Sequence, residues 1–134
     1  MTRMKPQGKE EHPVKKLAIA LFAVTSLSIA VPFVDAGRAP APGVDTKRCE
    51  AFSSVTYHEN FYGGEVATVS IVGDGDTDLD IFVYDMQGRL VAQGIGPTDI
   101  ETVSWFVPGN QIQRYRIVVR NLGGVWNRYT MRTN

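Results

Sequence analysis

Apolar side chains recur at every second position through most of the chain beyond residue 36, and this period restricts what the chain can become. Ala67, Val69 and Ile71 alternate with Thr68 and Ser70, and Tyr115, Ile117 and Val119 alternate with Arg114, Arg116 and Arg120. Successive side chains of a strand point to opposite faces, so each such run reads as a strand with one buried face. The pattern predicts strands over 52–61, 66–72, 78–84, 89–93, 101–107, 112–120 and 126–133. Gly, Pro, Asn and Asp clusters separate them, and no stretch past residue 36 holds a helical period. About seven short strands of this kind predict an all-β fold, a small antiparallel β-sandwich of jelly-roll or Greek-key type. Gly73 to Thr77 is expected to close one hairpin and Asn121 to Gly124 another, while Asp85-Met86-Gln87-Gly88 has the residues of a type I turn.

The N-terminus is of another kind. Lys15 and Lys16 precede an uncharged apolar run from Leu17 to Val34, and Val34-Asp35-Ala36 places small residues ahead of Gly37. These features predict a secretory signal peptide over 1–36 that forms the N-terminal signal helix, with Pro32 near its end favouring cleavage after Ala36. The run also meets the lower length limit of a membrane span, so an uncleaved single-pass anchor is the alternative. Residues 37–51 are rich in Pro and Gly and read as a flexible lead, leaving 52–134 as the domain. Residues 37–134 carry 9 Lys and Arg against 11 Asp and Glu, a balance that gives no general attraction to nucleic acid. The expected location is therefore secreted, periplasmic or cell-envelope. Cys49 is the sole cysteine, so no intrachain disulfide can form. Burial or inert exposure is expected of it.

Asp74, Asp76, Asp78 and Asp80 repeat with a period of two, which in an extended chain would project four carboxylates to one side. Same-side neighbours roughly 7 Å apart repel by about 0.6 kcal/mol in water, and a hard cation would relieve the repulsion. These four residues are the candidate metal ligands. Calcium is the candidate cofactor, because it accepts carboxylate and carbonyl oxygens in irregular geometry. Asp74, Asp76, Asp78 and Asp85 fall on positions one, three, five and twelve of the EF-hand loop, but Leu79 stands where that loop needs Gly. The competing reading is a solvated turn rich in Asp and Gly.

Catalytic signatures are missing. Past the N-terminal segment the only histidine is His58, and there is no Gly-x-Ser-x-Gly elbow, His-Glu-x-x-His pair or phosphate-binding loop. A non-catalytic binding module is expected. Trp105, Trp126, Tyr115 and Tyr129 could form an aromatic platform for sugar rings, although strand aromatics more often face the core. Arg114, Arg116, Arg120, Arg128 and Arg132, with Trp126, are the candidate partner-binding residues, read as a cationic face on the last hairpin. A protein or cell-surface polysaccharide would be the partner, and the opposing reading is a solvated face whose charges block edge pairing. A membrane role would require the uncleaved anchor, which would make the chain a structural or envelope protein without a metal site.

The run Gly73-Asp74-Gly75-Asp76-Thr77-Asp78-Leu79-Asp80-Ile81-Phe82-Val83-Tyr84-Asp85 is followed by Gly88, Val103-Ser104-Trp105, Pro108-Gly109 and Tyr115-Arg116-Ile117-Val118-Val119. Together these resemble the bacterial pre-peptidase C-terminal domain in a stand-alone secreted form. The resemblance covers roughly residues 52 to 133. It implies a β-sandwich module that is calcium-dependent in some members, with no peptidase domain attached here.

Overall fold

The computed structural model describes residues 40–134, so the signal peptide or anchor expected over 1–36, and residues 37–39 of the lead, lie outside the described residues. Eight strands run in order: β1 (Gly43–Cys49), β2 (Ser54–Phe61), β3 (Val66–Val72), β4 (Leu79–Tyr84), β5 (Leu90–Gly94), β6 (Ile100–Phe106), β7 (Gln113–Asn121) and β8 (Asn127–Thr133). They form two four-stranded sheets, β1-β8-β3-β6 and β2-β7-β4-β5, and every pairing is antiparallel. This is the strand order of a jelly roll, in which most successive strands alternate between the two sheets. Among the described residues there is no helix, hence none long and apolar enough to cross a membrane.

The alternating apolar positions meet between the sheets. Val69, Ile71, Leu79, Ile81, Val83, Val107, Ile117 and Val119 are completely buried, with Ala67, Val103 and Met131 nearly so. Phe61, Trp105 and Tyr115 meet edge to face, with ring centroids 5.0 to 6.0 Å apart. Tyr57 of β2 and Tyr129 of β8 join their hydroxyls across the sandwich at 2.7 Å. Burial pushes the Tyr57 hydroxyl up to about 12 and raises that of Tyr129 as well, so the pair is neutral throughout the physiological range. Cys49 is buried, and burial raises its thiol above the ordinary value.

Three expectations need correction. The stretch read as a flexible lead supplies β1, which pairs along its whole length with β8 from Gly43 opposite Thr133 to Cys49 opposite Asn127. Main-chain pairing holds it there, reinforced by the Thr46–Thr130 hydroxyl bond at 2.9 Å and by Cys49 plugging the core. The 73–78 connection does not close a hairpin, because β3 and β4 belong to different sheets. The same is true of 122–126, between β7 and β8. Among the described residues only β4 and β5 form a hairpin, and its turn is the one the sequence predicts. Asp85 Oδ1 accepts the N–H groups of Gln87 and Arg89 at 2.9 Å, and Gly88 takes a positive φ of 81°.

Candidate functional site

The four connections that follow β1, β3, β5 and β7 are tied together by main-chain hydrogen bonds at one end of the sandwich. Phe52 N–H donates to Gly123 C=O, Leu122 N–H to Asp78 C=O, Gly73 N–H to Asp99 C=O and Leu79 N–H to Thr98 C=O, at 2.9 to 3.3 Å. At their centre sit two polar residues that sequence reading did not single out, Asp99 (6% exposed) and Asn127 (0% exposed). Asp99 Oδ2 accepts Gly75 N–H at 2.6 Å and the Asn127 amide at 3.0 Å, and that amide also reaches Thr77 Oγ1 at 3.1 Å. Buried polar groups satisfied in this way hold a loop in one conformation. Gly73 is required where it stands, since a Cβ there would lie 2.1 Å from Asp99 Oδ2.

This bracing disperses the expected comb of carboxylates. Gly75 takes φ of 89°, which turns the chain out of the extended conformation that a period of two assumes. Asp74 is committed to β8, its Oδ2 accepting Arg128 N–H at 2.9 Å. Asp76 is exposed, Asp78 is partly buried just before β4, and Asp80 is buried on β4 opposite Arg120. Among the described residues no three His, Cys, Asp or Glu side chains converge as a metal would require. Asp78 and Asp80 remain close enough to act on each other. Burial and then the Asp78 charge raise the Asp80 carboxyl above its ordinary value, while Arg120 pulls it down. Asp78 Oδ1 is sealed from solvent with no hydrogen-bond partner.

The candidate partner-binding residues divide between two faces. Arg114, Arg116 and Arg120 alternate with the inward Tyr115, Ile117 and Val119 of β7, so they lie on the outer face of its sheet. Arg128 and Arg132 alternate with the inward Tyr129 and Met131 of β8, on the outer face of the opposite sheet. The cationic hairpin face expected from sequence therefore does not form. On the β7 face the Arg116 guanidinium lies 4.4 Å from the Tyr84 ring centroid and that of Arg120 lies 4.9 Å from Phe82. Neither makes an ion pair with a carboxylate among the described residues. His58 stands beside Arg116 in the β2–β7 register and adds a titratable group to the same face.

On the β8 side Trp126 is 42% exposed, and Arg48 of β1 lies 4.7 Å over its ring. Lys47, Arg48, Trp126 and Arg128 line a groove of about 300 Å³. Its charge is largely balanced, because Glu50 holds Arg48 at 2.7 Å and Asp45 holds Lys47 at 3.5 Å. The four aromatics considered as a sugar platform are likewise separated: Trp105, Tyr115 and Tyr129 are buried, and only Trp126 reaches solvent.

No protein-family model matches the chain, and no curated protein does either. Among solved structures it is similar to the crystal structure of the Yersinia pseudotuberculosis-derived mitogen, at 9% sequence identity and a TM-score of 0.47, covering 72% of this chain and 86% of that one.

Proposed function

We propose that the chain is an exported, non-catalytic binding module that presents the β7 face to an acidic polysaccharide. The observation that carries this reading is the pair of guanidinium groups seated over rings, Arg116 over Tyr84 and Arg120 over Phe82, neither of them in an ion pair among the described residues, with Asp80 opposite Arg120 as the neighbouring carboxylate. A ring beneath a guanidinium attracts it without neutralising it, which leaves N–H groups for carboxylate or sulfate oxygens. A regular polyanion suits a face on which such charges repeat along one strand. Among the described residues His58 is the one histidine, exposed and with no nucleophile partnered to it, which supports a binding role over a catalytic one. The stand-alone secreted pre-peptidase C-terminal type remains the family reading of the sequence motifs.

The test is retention of the purified chain on immobilised alginate across a salt gradient. Replacing Arg116 and Arg120 together by Gln should abolish retention, whereas replacing Arg128 and Arg132 by Gln should leave it unchanged. The opposite pattern would move the partner site to the other sheet.

A second reading, that the loop end takes calcium, is favoured by the sealed and unpartnered Asp78 Oδ1 beside Asp80. Calcium would supply a counter-charge to these two carboxylates and act as a structural brace. Asp74 and Asp76 have no part in this narrower assignment. Thermal unfolding after chelation and then with calcium or magnesium decides it, since binding to the native state alone raises stability by mass action. Equal midpoints in all three conditions would remove the ion from the account.

A further inference from the structure

β5 and β6 are both edge strands, one in each sheet, so the sandwich is open along that side. Between them, near the β4–β5 turn, lies a cleft of about 440 Å³. This is a size that small-molecule sites commonly have. Its wall includes Trp105 and Tyr115, whose rings meet at 5.1 Å and which are 7% and 2% exposed. Buried indole N–H and phenol O–H groups ordinarily find a protein partner. Among the described residues the indole does not: Trp105 Nε1 is sealed without an acceptor. A buried indole N–H without a partner, on a cleft wall that also carries a phenol hydroxyl, is a feature that packing alone does not account for.

The rim restricts what could satisfy it. Its charged side chains, Asp85 and Arg89, are paired with each other at 2.6 Å, so the cleft carries no uncompensated charge to attract an ion. Gln87 adds an amide able to donate and accept, Gln113, whose Nε2 already donates to Pro108 C=O, adds its amide oxygen, and Val91 and Phe106 add apolar surface. A ligand matching this set is uncharged, carries hydroxyls that both donate and accept, and has an apolar C–H face. We propose that the cleft between β5 and β6 binds a neutral pyranose sugar, with the ring hydroxyls satisfying Trp105 Nε1 and meeting the Tyr115 hydroxyl. Reaching Nε1 takes a side-chain rearrangement at the wall, a common adjustment when a ligand binds. The site is independent of the arginine face on β7.

The test follows the indole N–H signals of the purified chain by heteronuclear NMR during titration with methyl β-D-gluco-, galacto- or mannopyranoside. The chain has two tryptophans, and Trp126→Phe identifies which signal belongs to Trp105. The expected result is a saturable shift of the Trp105 signal by at least one of the three sugars. Tyr115→Phe, which removes only the hydroxyl, should then weaken binding by about fivefold, the value of one hydrogen bond, with the remaining signals in place. A Trp105 signal that none of the three sugars moves up to about 50 mM would overturn the proposal. So would equal affinity in Tyr115→Phe, or tighter binding of glucuronate than of the neutral glucoside.

Discussion

Asn127 at the start of β8 donates its side-chain amide to the buried carboxylate of Asp99 at 3.0 Å, and this bond ties together connections that the chain keeps 28 residues apart. The same carboxylate oxygen holds Gly75 N–H, so losing it strips the acceptor from the buried Asn127 amide and from the more exposed Gly75 N–H. Asp99→Ala should therefore destabilise the fold by about 2 to 4 kcal/mol, the lower part of what roughly 1 to 3 for each of two groups allows, because Gly75 is exposed. Chemical denaturation measures the loss, and a change under about 0.5 kcal/mol would mean that water replaces the carboxylate.

Gly73→Ala tests the same centre from the backbone side. The added methyl would sit 2.1 Å from Asp99 Oδ2 and 2.6 Å from Asn127 Oδ1, neither of which can withdraw without giving up its bonds. A loss of about 3 kcal/mol is expected, the upper part of the range for overpacking. By contrast, Gly75→Ala meets no atom within 4 Å, and its cost should come from the positive φ alone. Similar losses in the two variants would show that no clash operates at Gly73.

Phe52 has a φ of 51°, a left-handed conformation that costs an ordinary side chain about 1 to 2 kcal/mol. It is 76% exposed, so little burial compensates for this. Phe52→Asn keeps the turn with a residue that tolerates that region, and its unfolding midpoint should rise by a few degrees. A fall would show that the ring's position beside Gly124 contributes more than the strain removes.

Asp80 gives the fold a pH dependence of defined sign. Its folded-state carboxyl is raised, chiefly by burial, so proton binding favours the native chain. The contribution is fully present below the unfolded-state value of about 3.9 and is lost as pH rises through the folded one. Asp80→Asn, neutral at every pH, should be more stable than the parent near neutrality, and the advantage should vanish in acid. If calcium bridges Asp78 and Asp80, adding the ion should stabilise the parent and leave Asp80→Asn unchanged. A stability difference independent of pH would remove the buried charge as its cause.

The strands were legible because one face of each is buried. Leu79, Ile81 and Val83 announce β4 wherever its neighbours lie, and the Asp85–Gly88 turn announces the hairpin after it. A period of two identifies the inward face but carries no information about which sheet a strand joins, which is why 73–78 and 122–126 read as hairpin turns. β1 was hidden for a different reason. Of its seven residues only Cys49 is buried, and an edge strand held by main-chain bonds needs no apolar alternation. The aspartate comb was misread because it extended strand geometry across Gly73 and Gly75, where the backbone departs from it. Asp99 and Asn127 gave no local signal, since what makes them central is their meeting in space.

The pairing of β1 with β8 also bears on how such a chain is made. Gly43 and Thr133 are 90 positions apart, yet they are neighbours in the finished sheet. A ribosome delivers β1 well before β8, so one edge of the sandwich waits for its partner while the strands between them are made. Sheets built from such distant pairings assemble slowly. Until β8 arrives, β1 has no strand beside it, and that edge of the β-sandwich closes only with the eighth strand.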